Sequence, residues 1–279
     1  MKLGFIEILK VILIGIIEGI TEWLPISSTG HMLLFDAFIP LEMSEDFKEM
    51  FFVVIQLGAI IAVVVMFWKK LFPFTVADNK IGINKDIISM WLKVVAGCIP
   101  AAILGLVLDD FLEAYFGNAF TISVMLILYG IAFILVEIRN KNKTPKINSI
   151  TNIDYKTALI IGLFQALSMI PGTSRSGATI IGALLIGVSR TAAAEFTFFL
   201  AIPTMLGASA LKILKFGFDF TGAEISVLII GMVVAFAVSL FAIKFLIEYV
   251  RKHDFRVFGY YRIVLGLIVI LASVISKNI

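Results

Sequence analysis

The sequence predicts an all-α integral membrane protein with an inverted internal repeat, each half one re-entrant helical hairpin plus three transmembrane helices. Three observations carry that reading. The 279 residues are 60% hydrophobic and only 15% charged, against about 25% charged in a soluble domain. Six apolar runs, at 50–68, 88–108, 119–138, 192–214, 224–247 and 258–276, are near the roughly 20 residues a helix needs to cross a bilayer. Two Pro/Gly/Ser-rich breaks, at 25–30 and 171–177, sit at matching places in the two halves.

The first element is the apolar run 3–17, which leads straight into EGITEWLPISSTGH (18–31) without a small-residue cleavage site. It is therefore expected to stay in the mature protein. Pro25 withdraws a backbone donor and Gly30 relaxes the chain, so this segment is expected to turn back as a re-entrant hairpin. Three spans follow. The second break, PGTSRSG (171–177), repeats the device, and three more spans end the chain. All spans are expected to be helices, because a helix satisfies its own backbone in lipid.

The repeat is legible residue by residue. A shift of 147 residues lays Gly15 on Gly162, Glu18 on Gln165, Ser27 on Ser174, Thr29 on Ser176 and Gly30 on Gly177. The same shift lays Phe51, Phe52 and Ile55 on Phe198, Phe199 and Ile202. One membrane domain, 1–279, is thus expected to consist of halves at about 1–143 and 150–279, joined around Pro145. Three crossings per half would turn the second copy upside down.

Charges between the spans predict orientation. Stretch 69–85 carries Lys69, Lys70, Lys80 and Lys85; stretch 139–156 carries Arg139, Lys141, Lys143, Lys146 and Lys156. Both are expected on the cytoplasmic side, with Arg251, Lys252 and Arg256. The acidic segments 36–49 and 109–113, poor in lysine, fall on the other face, as do both termini. The net charge of +3 is therefore topological, and no aromatic and basic interleaving points to nucleic acid. Cys98, the single cysteine, excludes an intramolecular disulfide and reads as a buried structural thiol.

The breaks hold the chemistry. Glu18 and Glu22 lie one helical turn apart on one face, and two carboxylates so close in low dielectric call for a divalent cation or a shared proton. Ser27, Ser28 and Thr29 supply hydroxyls toward an anion, and His31 is a proton carrier suited to neutral pH. For Ser27 and Ser174, capping a restarted helix is an equal reading. Arg175 in the second break matches a phosphate, with Ser174, Ser176 and Thr179 as neutral donors; a structural pairing with Glu18 or Glu22 is its alternative. His253 lies in the basic segment YVRKHDFR and reads as solvated. Unlike chemistry in the two halves points to phosphoryl transfer rather than to a symmetric transport path.

These strings, EGITEWLPISSTGH and PGTSRSG with Thr179, together with FFVVIQLGAIIAVVVMFW at 51–68, closely resemble the undecaprenyl-diphosphate phosphatases associated with bacitracin resistance. The likeness spans the whole chain. It implies a plasma-membrane enzyme, its site opening to the outer face, that hydrolyses a polyprenyl diphosphate to the monophosphate and inorganic phosphate, recycling the lipid carrier of cell-wall synthesis. It implies a divalent cation, Mg2+ or Ca2+, near Glu18 and Glu22. It implies Ser28 and His31 as nucleophile and acid/base and Arg175 as the phosphate-binding arginine. Attack by Ser28, its proton passing to His31 or Glu22, and attack by an activated water both stay open. So does a homodimer. A lipid or ion transporter is the rival class, since broken helices and midplane polar groups also suit one. The acid-phosphatase-like membrane enzymes are a further rival, but the chain lacks their separated histidine pair.

Overall fold

The computed structural model describes residues 4–77 and 80–275. Among these, six helical stretches are long and apolar enough to cross a membrane: Glu45–Met66, Lys85–Leu108, Ala119–Asn140, Arg190–Phe216, Gly222–Val250 and Arg256–Ile275. Each contains most of one expected run.

The chain opens with α1 (Phe5–Thr21) and α2 (Ser28–Phe38), which fold back on each other. The first long stretch is built from α3 (Glu45–Val54) and α4 (Gln56–Met66), hinged at Ile55, and is followed by a single turn, α5 (Trp68–Leu71). Then come α6 (Lys85–Phe116) and α7 (Ala119–Asn140). After the linker, α8 (Tyr155–Ala166) and α9 (Arg175–Leu185) form a second folded-back pair. Finally α10 (Arg190–Phe216), α11 (Gly222–Val250) and α12 (Arg256–Ile275) run to the end.

Two features depart from the sequence reading. An antiparallel hairpin, β1 (Phe74–Ala77) and β2 (Lys80–Ile83), occupies the basic stretch between the first two spans; the β-branched Thr75, Val76, Ile81 and Ile83 favour it. Acidic segment 109–113 lies inside α6 instead of ending it.

Helix length explains the folded-back pairs. At about 1.5 Å per residue, the 12 residues of α8 and 11 of α9 span only about 18 and 16 Å, short of the roughly 30 Å of hydrocarbon. Each pair packs on a long helix: α1 lies on α11 and α8 on α6, while α7 pairs with α12. Small residues permit these approaches. A Cβ on Gly162 would run into the Gly97 backbone of α6, and one on Gly15 would meet Val234 and Gly231 of α11. Proline sits inside α6 at Pro100 and inside α10 at Pro203, where it removes a helical hydrogen bond and bends the helix. Pro203 falls one residue from where the 147-residue shift would put the hinge at Ile55. Trp23, Phe133, Phe198, Phe199 and Phe255 are almost fully buried and belong to one apolar core.

Candidate active site

Both turns have the same backbone. Ser27 and Ser174 adopt left-handed conformations, with φ of 74° and 69°, which non-glycine residues seldom take. Each is the N-cap of an 11-residue helix and accepts a hydrogen bond from the third amide beyond it, Gly30 N at 3.4 Å and Gly177 N at 3.2 Å. The first helical residue follows directly on each cap. In one turn it is Ser28; in the other, Arg175.

Glu22, just after α1, joins them. Its Oε2 accepts from Ser28 Oγ at 3.1 Å and its Oε1 from Arg175 Nη2 at 3.0 Å. Its main-chain carbonyl accepts from Ser176 Oγ at 3.2 Å. Arg175 is held further by Thr197 O, at 2.8 Å from Nη1, and stacks 6.0 Å from the Trp23 ring. Glu22 and Arg175 are both largely shielded from solvent, where removal of either partner leaves an uncompensated charge.

The remaining expected residues divide. Ser176 and Thr179 are buried: Thr179 Oγ1 shares a hydrogen bond with Thr197 Oγ1 at 2.8 Å and lies 3.0 Å from Arg175 O. They brace the arginine's turn. Ser174 Oγ, besides capping, lies 3.2 Å from Ser176 Oγ. Thr29 is exposed and outside this network. No hydrogen bond links His31 to Ser28. Its Nδ1 lies 2.7 Å from Ser27 O and its Nε2 2.7 Å from the Tyr261 hydroxyl. A carbonyl can only accept, so Nδ1 carries a proton, and when the ring is neutral Nε2 accepts from Tyr261.

Arg262 escapes the sequence reading. It is 0% exposed and donates to Pro25 O of the first turn (3.4 Å) and to Gly172 O and Thr173 O of the second (both 2.9 Å). One guanidinium thus ties the two turns together. In the sequence it sits only six residues after Arg256, at the start of the apolar helix α12, where a cation is easily taken for a loop charge; its full burial is what marks it, since a buried cation in a membrane is costly and rarely idle.

Among the described residues, the buried side-chain atoms with no protein partner are Glu18 Oε1, Trp23 Nε1, Gln165 Oε1, Thr173 Oγ1, Arg175 Nε and Arg262 Nε. All belong to the two hairpins or to the arginine that joins them, so the buried polar atoms with unused bonding capacity gather at this locus among the described residues. Glu18, 1% exposed, faces Glu22 with Oε1 unsatisfied. No group of three or more His, Cys, Asp or Glu that could hold a metal occurs among the described residues. Glu18 Oε1 is open while both Glu22 oxygens are engaged by Ser28 and Arg175, so a hard cation arriving with phosphate oxygens as its other ligands would fit at Glu18 first and at Glu22 only as the substrate takes over Arg175.

Comparison with known proteins gives the same neighbourhood. The family described as Bacitracin resistance protein BacA matches residues 11–268. An undecaprenyl-diphosphatase of Enterococcus faecalis is 67% identical over 276 residues, covering 99% of this chain and 100% of that relative. One from Desulfitobacterium hafniense is 61% identical, covering 96% and 97%, and undecaprenyl-diphosphatase 1 of Clostridium acetobutylicum is 58% identical, covering 95% and 97%. A polar locus shared by two capped turns thus sits inside a chain that, over nearly its whole length, belongs to the bacitracin resistance protein BacA family.

Proposed function

We propose that this chain hydrolyses undecaprenyl diphosphate, or a closely related polyprenyl diphosphate, to the monophosphate and inorganic phosphate. The relatives' activity and the site chemistry agree. The observation that carries the reading is Glu22, which accepts from Ser28 with one carboxylate oxygen and pairs with Arg175 through the other.

In this mechanism Arg175 holds the terminal phosphoryl group and neutralises its charge. Ser28 Oγ attacks the terminal phosphorus while its proton passes to Glu22 Oε2, 3.1 Å away; the bond to the bridging oxygen breaks and the polyprenyl monophosphate leaves. Water then attacks the phosphoserine, releasing inorganic phosphate and restoring the serine. Glu22 suits the proton transfer better than His31, whose two ring nitrogens face Ser27 O and Tyr261. Ser27, Thr29 and Ser174 border the substrate, and Ser176 and Thr179 hold Arg175 in place. Glu18 and Glu22 would hold Mg2+ or Ca2+, which supplies charge neutralisation to the diphosphate. Direct attack by water, with Ser28 only binding, is the second reading; the half-buried position of Ser28 leaves room for it.

The fold is read as an inverted repeat of halves at about 1–143 and 150–279 in one membrane domain, supported by the reciprocal packing of α1 on α11 and α8 on α6. The chain lies in the plasma membrane with Lys- and Arg-rich loops inside and the site opening outward. Glu22, Ser28 and Arg175 come from one chain.

Phosphate release from a long-chain polyprenyl diphosphate by the purified protein, with and without chelator, tests the reading. Metal-dependent release lost in Arg175→Ala and Glu22→Ala supports it. Well-folded protein that releases no phosphate overturns it in favour of a lipid transporter.

A further inference from the structure

Far along the second hairpin from Arg175, a cavity of about 610 Å3 lies between the end of α7, the linker after it, the turn closing α9, the start of α10 and the end of α11. Arg139, Lys141, Lys143, Lys146 and Arg251 line it. Its one lining carboxylate, Glu137, is already neutralised: Arg190 grips both oxygens, at 2.9 and 2.5 Å, and Phe255 N donates at 3.0 Å. Among the described residues, none of the five cations has an ion-pair partner.

Complementing helix ends does not account for so much charge. The carbonyl ends of α7, α9 and α11 contribute roughly −0.5 each and the amino end of α10 about +0.5, so about +4 remains from five full charges. The cavity's depth in the membrane narrows the choice of anion. Candidate spans end at Asn140 and Val250 and begin at Arg190, so the cavity lies where helices leave the hydrocarbon, at headgroup level. The half-buried Leu185 and Ile186 form an apolar wall beside the cations. A free anion has no use for that wall, whereas an amphiphile does.

We propose that this cavity binds the phosphodiester headgroup of an anionic phospholipid, with the first acyl carbons along Leu185 and Ile186. The site is separate from the diphosphate site. The linker is already pinned to the turn that ends α9: Lys146 N and Ile147 N donate to Gly187 O, and Ser189 N donates to Ile147 O. A headgroup bridging Lys143 and Lys146 therefore braces the base of the helix whose first residue is Arg175.

Titration of phosphatidylglycerol into the detergent-purified full chain, read by native mass spectrometry, tests this. The wild type should retain one phosphatidylglycerol in preference to phosphatidylcholine. The triple variant Lys141→Gln, Lys143→Gln, Lys146→Gln should bind it at least ten-fold more weakly, while Lys69→Gln with Lys70→Gln keeps wild-type affinity. Should the triple variant misfold by circular dichroism, Arg139→Gln with Arg251→Gln removes cations from the helix ends instead and should show the same loss. Equal retention by wild type and a folded cavity variant overturns the site. Equal binding of phosphatidylcholine overturns the charge argument, and displacement by millimolar inorganic phosphate at comparable affinity overturns the lipid assignment in favour of free phosphate.

Discussion

The turn at Ser27 and the turn at Ser174 share a backbone and divide the chemistry. Both put a serine at positive φ, both cap an 11-residue helix through that serine, and both set the next side chain against Glu22. The side chains around the cap differ: Ser28 against Arg175, His31 against Ala178, and earlier in the hairpin Glu18 against Gln165. In the proposed reaction the shared turn backbone presents Ser28 with Glu22 as its base on one side and Arg175 as the anion clamp on the other. Gln165 retains the burial of Glu18 and its unsatisfied oxygen without the charge, so only one hairpin brings a carboxylate pair to the site.

The largest effects should come from breaking the bond between the turns. Glu22→Ala leaves Arg175 buried without its counter-charge and Ser28 without an acceptor. Turnover at saturating substrate should fall about 10³-fold, in line with loss of a preorganised transition-state contact, and the protein should lose about 3 kcal/mol of stability. Ser28→Ala sharpens the division of labour. A fall of about 10³-fold is expected if its oxygen forms the bond to phosphorus; a turnover within a few-fold of wild type would assign the attack to water and leave Ser28 a binding role.

Arg262→Met asks whether the turns need a common tie. It removes donors from Pro25 O, Gly172 O and Thr173 O, each buried carbonyl costing about 1 kcal/mol or more to leave unmet. The thermal midpoint in detergent should fall by about 10 °C, with a loss of activity that tracks unfolding. Activity lost at an unchanged midpoint would instead put Arg262 on the substrate.

Much of this is legible in the amino-acid order. Span positions come from apolar length, because lipid admits few alternatives to a helix, and Glu22, Ser28 and Arg175 stand out because polar groups in such a chain demand a reason. Arg262 does not stand out. It sits six residues into α12, just after the basic run ending at Arg256, where a cation reads as topological. Proximity in sequence ties His31 to Ser28, but three residues on a helix after a left-handed cap turn the imidazole toward Ser27 O and α12. Thr197, whose carbonyl holds Arg175, lies 22 residues from it. Such a partner depends on how α10 packs on α9, which no local pattern reports. The β1 and β2 hairpin is hidden by the lysines around it.

Tyr261→Phe addresses His31 by a smaller step. It deletes one neutral hydrogen bond, worth about 1 kcal/mol, so turnover should fall only a few-fold with the pH profile unchanged if His31 simply orients the first turn. A displaced pH optimum would return His31 to proton transfer.

The smallest effect tests the likeness of the two turns directly. In Ser27→Gly and Ser174→Gly the cap oxygen is lost, a cost of only a few tenths of a kcal/mol when glycine replaces it, while glycine relieves the positive φ. The two terms oppose each other, and each variant should sit within about 0.5 kcal/mol of wild type. Alanine has neither the oxygen nor the freedom, so Ser27→Ala and Ser174→Ala should each lose about 1–2 kcal/mol. Because the same backbone carries both turns, the alanine penalties should agree to within about 1 kcal/mol, the margin left by the extra contact of Ser174 Oγ with Ser176 Oγ, whatever they do to catalysis. A large disagreement would mean that one serine does more than cap: if Ser27→Ala alone lost turnover at an unchanged midpoint, its hydroxyl would belong with Ser28 at the substrate, and the symmetry of the turns would end at the backbone.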